Sequence, residues 1–453
     1  MGRLGGLLLA VFLLWPEITA AQVASPSDGR RPIDLAVQLF SDDPSERERA
    51  FDRVRASGDR KFIAPIVQWL RFFGPQEIAL EVLRELSGED AGDAWHDWQL
   101  WIETHPETGT MPAFDRFKAS VLSHIDRNFL LFVQPGVKHE IRLEEITWGG
   151  VAKDGIPALN DPQLIAPDDA TYLTPGELVF GVEINGDARA YPLRIMDWHE
   201  MFNDVIGGVP VALAYCTLCG SGILFETKLK NRTERMIFGS SGLLYRSNKL
   251  MYDRGTNSLW NQFTGKPVVG PLTGSGIELK VRPVVISTWA EWLRRHTETK
   301  VLSLDTGYER DYRPGRPYGQ YFASPELMFP AAVHDGRLKA KDYVFVIRLG
   351  AEKKAWPLAI FADSPVINDS FAGRNVVLIG DMDNRSVRAY WRDDDVFSAA
   401  GPDQVEGKNG QWTVTEVALV ASDGRKLDRI GGHVGFWFAF QNFLASAPLA
   451  ERP

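Results

Sequence analysis

Residues 179–213 read VFGVEINGDARAYPLRIMDWHEMFNDVIGGVPVAL, and a second version of this stretch follows later in the chain. At a shift of 165 residues it becomes VFVIRLGAEKKAWPLAIFADSPVINDSFAGRNVVL, with 11 identities in 35 ungapped positions. Chance gives roughly two or three identities in a comparison of this length, so a duplicated structural unit is the better interpretation. Short alternating apolar runs, such as residues 179–184, predict β-strands in the unit.

The match between the two copies resumes after a change in length. Leu279 and Trp289 recur at a shift of 148, so the second copy is shorter by 165 minus 148, or 17 residues. We predict two mostly β repeats. The first segment, residues 146–300, holds the only two cysteines of the chain, and the second segment, residues 301–450, holds none.

A feature kept in both copies is expected to be structural. Asn203-Asp204 recurs as Asn368-Asp369, ahead of a glycine each time. Short polar side chains that bond their own backbone are typical of turns. We therefore predict a turn at both places, with no role in a site.

Residues that differ between the copies indicate a site in the first one. Three soft-ligand residues of the first segment face Asp381, Asn384 and Ser364 in the second: they are Cys216, Cys219 and His199. A site confined to one copy leaves this pattern. We predict a site at the cysteine pair, with His199 as a further member.

The cysteines form the CxxC motif Cys216-Thr217-Leu218-Cys219. Apolar runs on both sides predict a β-hairpin with the pair in its tight turn, whereas a thioredoxin-type CxxC begins a helix. Such a turn is typical of metal knuckles, and two thiolates supply half of a zinc site or most of a Cu(I) site. We predict a soft-metal site for copper or zinc, with His199 and Met251 as additional ligands.

Two other functions remain open for the same residues. Cys216 and Cys219 are catalytic if the motif cycles between dithiol and disulfide, as in a thiol-based oxidoreductase. The chain is a non-catalytic binding or scaffold protein if the pair is inert. No cofactor other than the metal is predicted, and the partner, a protein or a small molecule, stays open.

A second unusual region, residues 238–260, is mostly missing from the second copy. Its glycines permit close approach of the backbone. Asp253 and Arg254 are candidates for an ion pair at a pocket rim. The predicted pocket residues are Tyr215, Ser241, Asp253, Arg254 and Trp260.

The start of the chain predicts export. Arg3, an apolar core at residues 7–15 and small residues at 19–21 are typical of a signal peptide over residues 1–21. The apolar core is too short to span a bilayer, and no later run is long and apolar enough to do so. We expect a soluble protein that is periplasmic or extracellular after cleavage.

After a linker at residues 22–33, helical signals predominate. Over residues 34–106, helix starts at Asp43 and Pro75 and a helix end at Gly58 predict a small array of four short helices, weakly similar to HEAT repeats. A bridge at residues 107–145 leads into the first repeat. The predicted fold class is therefore α+β, with a helical array ahead of a duplicated β region.

Charge excludes one class of partner. The 453 residues carry a formal net charge of −9, which argues against nucleic acid and anionic membrane as partners. Two cysteines in a chain of this length also exclude a disulfide-stapled scaffold.

Several motifs in order give the chain a resemblance to a family. It resembles domain of unknown function 3179 over about residues 115–445, through Trp148-Gly149-Gly150-Val151, Asp154-Gly155-Ile156-Pro157, Ala190-Tyr191-Pro192-Leu193, Asn203-Asp204, Tyr215-Cys216-Thr217-Leu218-Cys219-Gly220-Ser221, Met251-Tyr252-Asp253-Arg254 and Ser258-Leu259-Trp260. These are uncharacterised exported proteins of bacteria and archaea, so the resemblance implies no established activity. Some members carry selenocysteine in this domain, and at a position like Cys216 or Cys219 it implies redox chemistry rather than a purely structural metal.

Overall fold

The computed structural model describes residues 31–230, 233–444 and 448–450. Helices come first and strands dominate from residue 146 onwards, so the fold is α+β, as the sequence predicts. The predicted signal peptide (residues 1–21) and most of the predicted linker (residues 22–33) lie outside the described residues.

Six helices form what we call the helical array: α1 (Pro32–Gln38), α2 (Pro44–Ser57), α3 (Ile63–Phe73), α4 (Glu77–Ser87), α5 (Trp95–Thr104) and α6 (Phe114–Ile125). Five helices lie where four were expected, and α6 lies in the segment expected to be a bridge. Buried residues of all six helices share one apolar cluster, so the bridge belongs to the array. Among the described residues, no helix combines the length and the apolar character that crossing a bilayer requires.

Local sequence explains the ends of these helices. The side chain of Asp43 accepts a hydrogen bond from the Ser45 N–H at 2.9 Å, which caps α2, and Gly58 ends α2 with φ 60°. The helix expected to begin at Pro75 begins at Glu77, because Gln76 is still extended, with φ −133°.

The β region contains 26 strands among the described residues, with these bounds: β1 (Ile146–Trp148), β2 (Leu159–Asn160), β3 (Leu164–Ile165), β4 (Leu178–Ile184), β5 (Asp187–Pro192), β6 (Met201–Ile206), β7 (Val209–Cys216), β8 (Ser221–Glu226), β9 (Phe238–Tyr245), β10 (Asn248–Asp253), β11 (Leu259–Asn261), β12 (Lys266–Val269), β13 (Lys280–Arg282), β14 (Val285–Thr288), β15 (Lys300–Leu302), β16 (Tyr343–Leu349), β17 (Glu352–Pro357), β18 (Val366–Phe371), β19 (Arg374–Asp381), β20 (Ser386–Trp391), β21 (Ser398–Gly401), β22 (Gln404–Gly407), β23 (Gly410–Val414), β24 (Ala418–Ala421), β25 (Lys426–Ile430) and β26 (Gly432–Phe436). Four short helices lie between or after them: α7 (Leu193–His199), α8 (Trp289–Arg295), α9 (Gly319–Ala323) and α10 (Trp437–Leu444).

These strands form five sheets. Their strand orders are β1-β9-β10-β11-β12, β13-β8-β7-β6-β2, β14-β4-β5-β15-β3, β17-β16-β26 and β18-β19-β20-β25-β24-β23-β22-β21. We call the first of them the helix-covered sheet, because buried residues of β1, β9, β10, β11 and β12 belong to the same apolar cluster as the helical array.

Strand bounds recur between the two segments. Strands β4 to β8 and strands β16 to β20 begin and end 165 residues apart without exception, as from residue 178 to residue 343. The pairing register recurs as well. Val285 of β14 lies opposite Gly181 of β4, and His433 of β26 lies opposite Val346 of β16, at shifts of 148 and 165.

The turn expected at Asn203-Asp204 is wrong, because both residues lie within strand β6. The Asn203 side chain bonds both the N–H and the carbonyl of Phe238, each at 2.8 Å. Asp204 accepts from the Tyr191 hydroxyl at 2.6 Å. These side chains tie neighbouring strands together in the interior, and Asn368 does the same with the backbone of Phe397 at 2.7 and 2.9 Å.

We expect Asn203→Ala to lower the free energy of unfolding by about 2–4 kcal/mol, because it leaves two buried backbone groups of Phe238 unpaired. Asn368→Ala should have a similar effect. Urea unfolding of the purified variants measures both. Asn375→Ala is the control, since its side chain bonds Asp393 at an exposed position. An Asn203→Ala protein as stable as this control would contradict the assignment.

Candidate functional site

The cysteine pair lies in a hairpin turn, where the sequence places it. Cys216 ends β7, residues 217–219 form a single 3-10 turn, and Ser221, which begins β8, lies opposite Cys216. Gly220 closes the turn with φ 57°, and a Cβ there would lie 3.1 Å from the Tyr343 ring and 3.2 Å from the Phe436 ring. Glycine is therefore required both by the backbone angle and by the close packing of β16 and β26.

Both thiols are free and they touch. The Sγ atoms of Cys216 and Cys219 are 2.6 Å apart. Cys216 is 3% exposed and Cys219 is 0% exposed, so Cys216 is the sulfur nearer to solvent. Burial raises the pKa of the Cys219 thiol well above its ordinary value, and the neighbouring Cys216 and the charge of Glu200 add to the shift.

Strand β10 and the turn before it supply polar partners for Cys219. The Asn248 amide donates to the Cys219 sulfur at 3.2 Å, and the Cys219 thiol donates to the Ser247 carbonyl at 3.4 Å. Asn248 is held in turn by Gln262 at 2.8 Å. The Gln262 amide donates to the carbonyl of Ala214 at 2.6 Å, on the strand that carries Cys216, so the network closes on the hairpin.

A buried ion pair lies beside the turn. Lys249 Nζ lies 2.6 Å from Glu200 Oε2, and Glu200 Oε1 accepts from Thr217, between the cysteines, at 3.1 Å. Glu200 has φ 54°, a left-handed conformation that residues other than glycine rarely adopt. A strained, buried carboxylate next to a cysteine pair is typical of functional sites.

The segment between β15 and β16, residues 303–342, covers the pair. The Tyr318 hydroxyl lies 3.5 Å from Glu200 Oε1, and the Tyr321 hydroxyl donates to the Leu218 carbonyl at 2.6 Å. Ser247 donates to the Pro330 carbonyl of the same segment. The two sulfurs are thus enclosed by both segments of the β region.

The two additional ligands expected for a metal are directed elsewhere. His199 Nδ1 lies 2.8 Å from the Pro157 carbonyl oxygen, and Nε2 lies 2.6 Å from the Tyr312 hydroxyl, so both ring nitrogens have partners. Burial lowers the pKa of His199. Met251 packs in a different apolar cluster from the cysteines, beside Trp260.

The predicted pocket residues do not converge on a pocket. Arg254 pairs with Asp154 at 2.8 Å rather than with Asp253, and Asp253 accepts from Thr256 and from the Trp260 indole at 2.7 and 3.0 Å. Ser241 bonds the backbone of its own hairpin at Leu250. Tyr215 precedes Cys216, but its ring packs against Phe180 at 5.0 Å. Of this set, only Tyr215 adjoins the cysteine pair.

The donors present do not fit zinc. Within the described ranges, no group of three or more His, Cys, Asp or Glu side chains is arranged to hold a metal ion. With Zn–S bonds of about 2.3 Å, sulfurs at the present spacing would subtend an angle of about 70°, far from tetrahedral. A Cu(I) ion between the two sulfurs would require them to move apart.

Sequence reasoning missed four site residues that lie far from the motif in the chain: Glu200, Asn248, Lys249 and Gln262. One signal for Glu200 was available. The position that matches Glu200 in the second segment is Pro365, so this acid is confined, like the cysteines, to the first segment.

Comparison with known families bears on the whole β region. The model of the family described as "Protein of unknown function (DUF3179)" matches residues 153–447. The chain belongs to this family. The DUF3179 match includes the cysteine pair, Glu200 and the residues around Cys219, and it leaves the helical array outside. No curated protein and no solved structure matches the chain.

We expect Glu200→Gln and Lys249→Met to shift the pKa of Cys219 in opposite directions, by at least about one unit each. Removing the carboxylate charge favours the thiolate and lowers the pKa, whereas removing the ammonium leaves the carboxylate unbalanced and raises it. Ultraviolet titration of the thiolate in a Cys216→Ser background measures the shift. Glu226→Gln, which breaks the ion pair with Arg282 at the far end of β8, is the control. Shifts of the same sign would show that the pair acts through packing rather than charge.

Asp197, next to the site, should give stability a pH dependence. Burial raises the pKa of Asp197 to about 7, so between about pH 4 and about pH 7 the folded protein keeps a proton that the unfolded chain has released. Its contribution to the unfolding free energy therefore falls as pH rises through that window and is lost above it. Asp197→Asn should flatten this part of the profile in urea unfolding at several pH values, and an unchanged slope would contradict the assignment.

Proposed function

We propose that the protein is an exported thiol–disulfide redox protein in which Cys216 and Cys219 cycle between dithiol and disulfide. The observation that carries the proposal is the contact of the two sulfurs at 2.6 Å inside a closed polar cage. A disulfide has an S–S bond of about 2.05 Å, so little movement separates the two states.

The two sulfurs have different roles in the exchange. Cys216, the more exposed one, attacks the disulfide of a partner and forms a mixed disulfide while one partner thiol leaves. Cys219 then attacks Cys216, closes the intramolecular disulfide and releases the second partner thiol. The two thiol protons pass to the partner sulfurs, and the two electrons that the pair loses reduce the partner disulfide. The reverse sequence oxidises a partner dithiol.

The partner is a disulfide or dithiol of low molecular weight. Cys216 is only 3% exposed and lies beneath Tyr318 and Tyr321, so a bulky partner does not reach its sulfur while the cover is in place. The high pKa of Cys219 suits a resolving thiol, which stays protonated until the mixed disulfide forms.

We also propose that the two segments of the β region are duplicated units and that the site belongs to the first alone. The shared strand bounds and register support the duplication. The positions of Cys216, Cys219 and Glu200 hold Asp381, Asn384 and Pro365 in the second unit. The similarity of the helical array to HEAT repeats stays a prediction.

Export is part of the proposal and rests on the sequence of residues 1–21. A cysteine pair outside the cytoplasm meets oxidants, and a pair without redox function would be expected to stay oxidised there. The soft-metal site stays a prediction that the donor geometry does not favour.

The single-cysteine variants give the sharpest test. Cys219→Ser, with Cys216 left, should form a stable mixed disulfide with a small aromatic disulfide at least about tenfold faster than Cys216→Ser does, because only Cys216 approaches the surface. Intact-mass spectrometry of the protein without its signal peptide follows the adduct. Equal rates, or the reverse order, would contradict the assigned roles.

The wild-type protein should also titrate as one two-electron couple in glutathione buffers of graded poise, without metal in elemental analysis. The Cys216→Ser, Cys219→Ser double variant is the control. Stoichiometric copper or zinc in the wild type and none in the double variant would replace the redox proposal with the metal site. Thiols that never oxidise reversibly, with no metal, would favour the scaffold alternative.

A further inference from the structure

The turn that carries the carbonyl partner of Cys219 is conformationally strained. Strand β9 ends at Tyr245 and β10 begins at Asn248, so the hairpin loop is Arg246-Ser247 alone. Both loop residues have positive φ, 47° and 62°. Two-residue hairpin loops with two positive φ values normally carry Asn-Gly or Asp-Gly, because other side chains are strained there. Contacts elsewhere must therefore hold this turn.

Arg246 provides the first of those contacts. Its Nε lies 2.6 Å and its Nη2 3.3 Å from the carboxylate of Glu145, a forked arrangement that fixes the orientation of both groups. Glu145 is fully buried, so its charge depends on its partners. The ion pair thus holds the turn against the stretch of chain that leads out of the helical array.

Arg142 continues the connection into the array. It pairs with Glu145, and its Nη2 donates to the carbonyls of Ile102 and Glu103, at 2.9 and 3.2 Å, near the end of α5. Carbonyls in the last turn of a helix lack partners within the helix and favour a cation. A continuous set of charged contacts therefore runs from helix α5 to the Arg246-Ser247 turn.

On its other side the same turn touches the site. The Ser247 carbonyl accepts from the Cys219 thiol, and the next residue, Asn248, donates to the Cys219 sulfur. The Ser247 hydroxyl also bonds Pro330 of the covering segment. Any change in the turn changes both partners of Cys219 at once.

We propose that Arg142, Glu145 and Arg246 are positioning residues for Cys219, so that the helical array is part of the cysteine site. The array does so by holding the strained turn in the conformation that presents Ser247 and Asn248 to the sulfur. The helices and Glu145 lie outside the DUF3179 match, whereas Arg246 and Cys219 lie inside it. This chain therefore completes its family domain with residues from its N-terminal part. The consequence for redox cycling rests on the proposed function.

The test uses the full chain without its signal peptide, in a Cys216→Ser background, with a small neutral alkylating reagent as the probe. Arg246→Gln and Glu145→Gln should each raise the alkylation rate of Cys219 by about tenfold, because the released turn opens locally and exposes the sulfur. Arg246→Lys keeps the charge without the fork and should restore part of the protection.

Arg282→Gln is the matched control. Arg282 also holds a glutamate through two nitrogens, at 2.9 and 2.6 Å from Glu226, and is similarly half-buried, but it lies at the far end of β8 from the cysteines. Its alkylation rate should stay within about twofold of the parent. If the variants at Arg246 and Glu145 match this control, the proposal is overturned.

A variant that loses global stability is recognised by urea unfolding, and Arg142→Gln, which leaves the Arg246–Glu145 pair intact, then gives the answer at the outer end of the connection. In the protein with both cysteines, the midpoint potential of the pair should shift in Arg246→Gln and not in Arg282→Gln. Alkylation does not require redox cycling. Faster alkylation in a protein whose cysteines never cycle would uphold the positioning role and reject the proposed function.

Discussion

The close approach of the hairpin turn at Gly220 to strands β16 and β26 is the contact on which the site depends. A Cβ at Gly435 of β26 would lie 3.2 Å from the Ser221 side chain, so glycines on both sides of the contact bring the two segments together. The turn is then closed off by the second segment, and β10 and residues 303–342 enclose the other sides. A cysteine pair that a single hairpin would expose to solvent is thereby buried.

Burial has a specific chemical consequence for two thiols. The dithiol and the disulfide are both uncharged, so neither state pays the cost of placing a charge in a low-dielectric interior. The thiolate between them does pay it, which is why the pKa of Cys219 is raised. The enclosed site therefore suits a pair that changes between its two neutral states. It suits two permanently charged thiolates on a metal less well, because each charge would need a compensating partner.

The sequence predicts those parts of the fold that depend on neighbouring residues. The cap at Asp43, the helix end at Gly58 and the hairpin turn at the cysteines follow from local chemistry and are found in the structure. The extra helix α6 was missed because it lies in a segment without strong caps. Its N-cap position, Ala113, has no side-chain hydrogen bond.

The candidate site was predicted only at its two cysteines. Glu200 and Asn248 reach the pair from other strands, and no periodicity in the chain encodes that meeting. His199 was misplaced for the opposite reason: it lies close to the motif in sequence, but its ring is taken up by Pro157 and Tyr312. Asn203-Asp204 has turn-like composition, yet the structure uses both side chains as buried links between strands. Tertiary partners decided each of these cases.

The state of the cysteine pair in the protein's own host tests the central claim most directly. Cells would be quenched in acid, free thiols alkylated, and the mature protein isolated for intact-mass spectrometry and metal analysis. The account predicts two populations, with both cysteines alkylated or neither, whose ratio follows an applied oxidant or reductant, and no bound metal. A single population that does not respond, with one equivalent of copper or zinc released on unfolding, would contradict it.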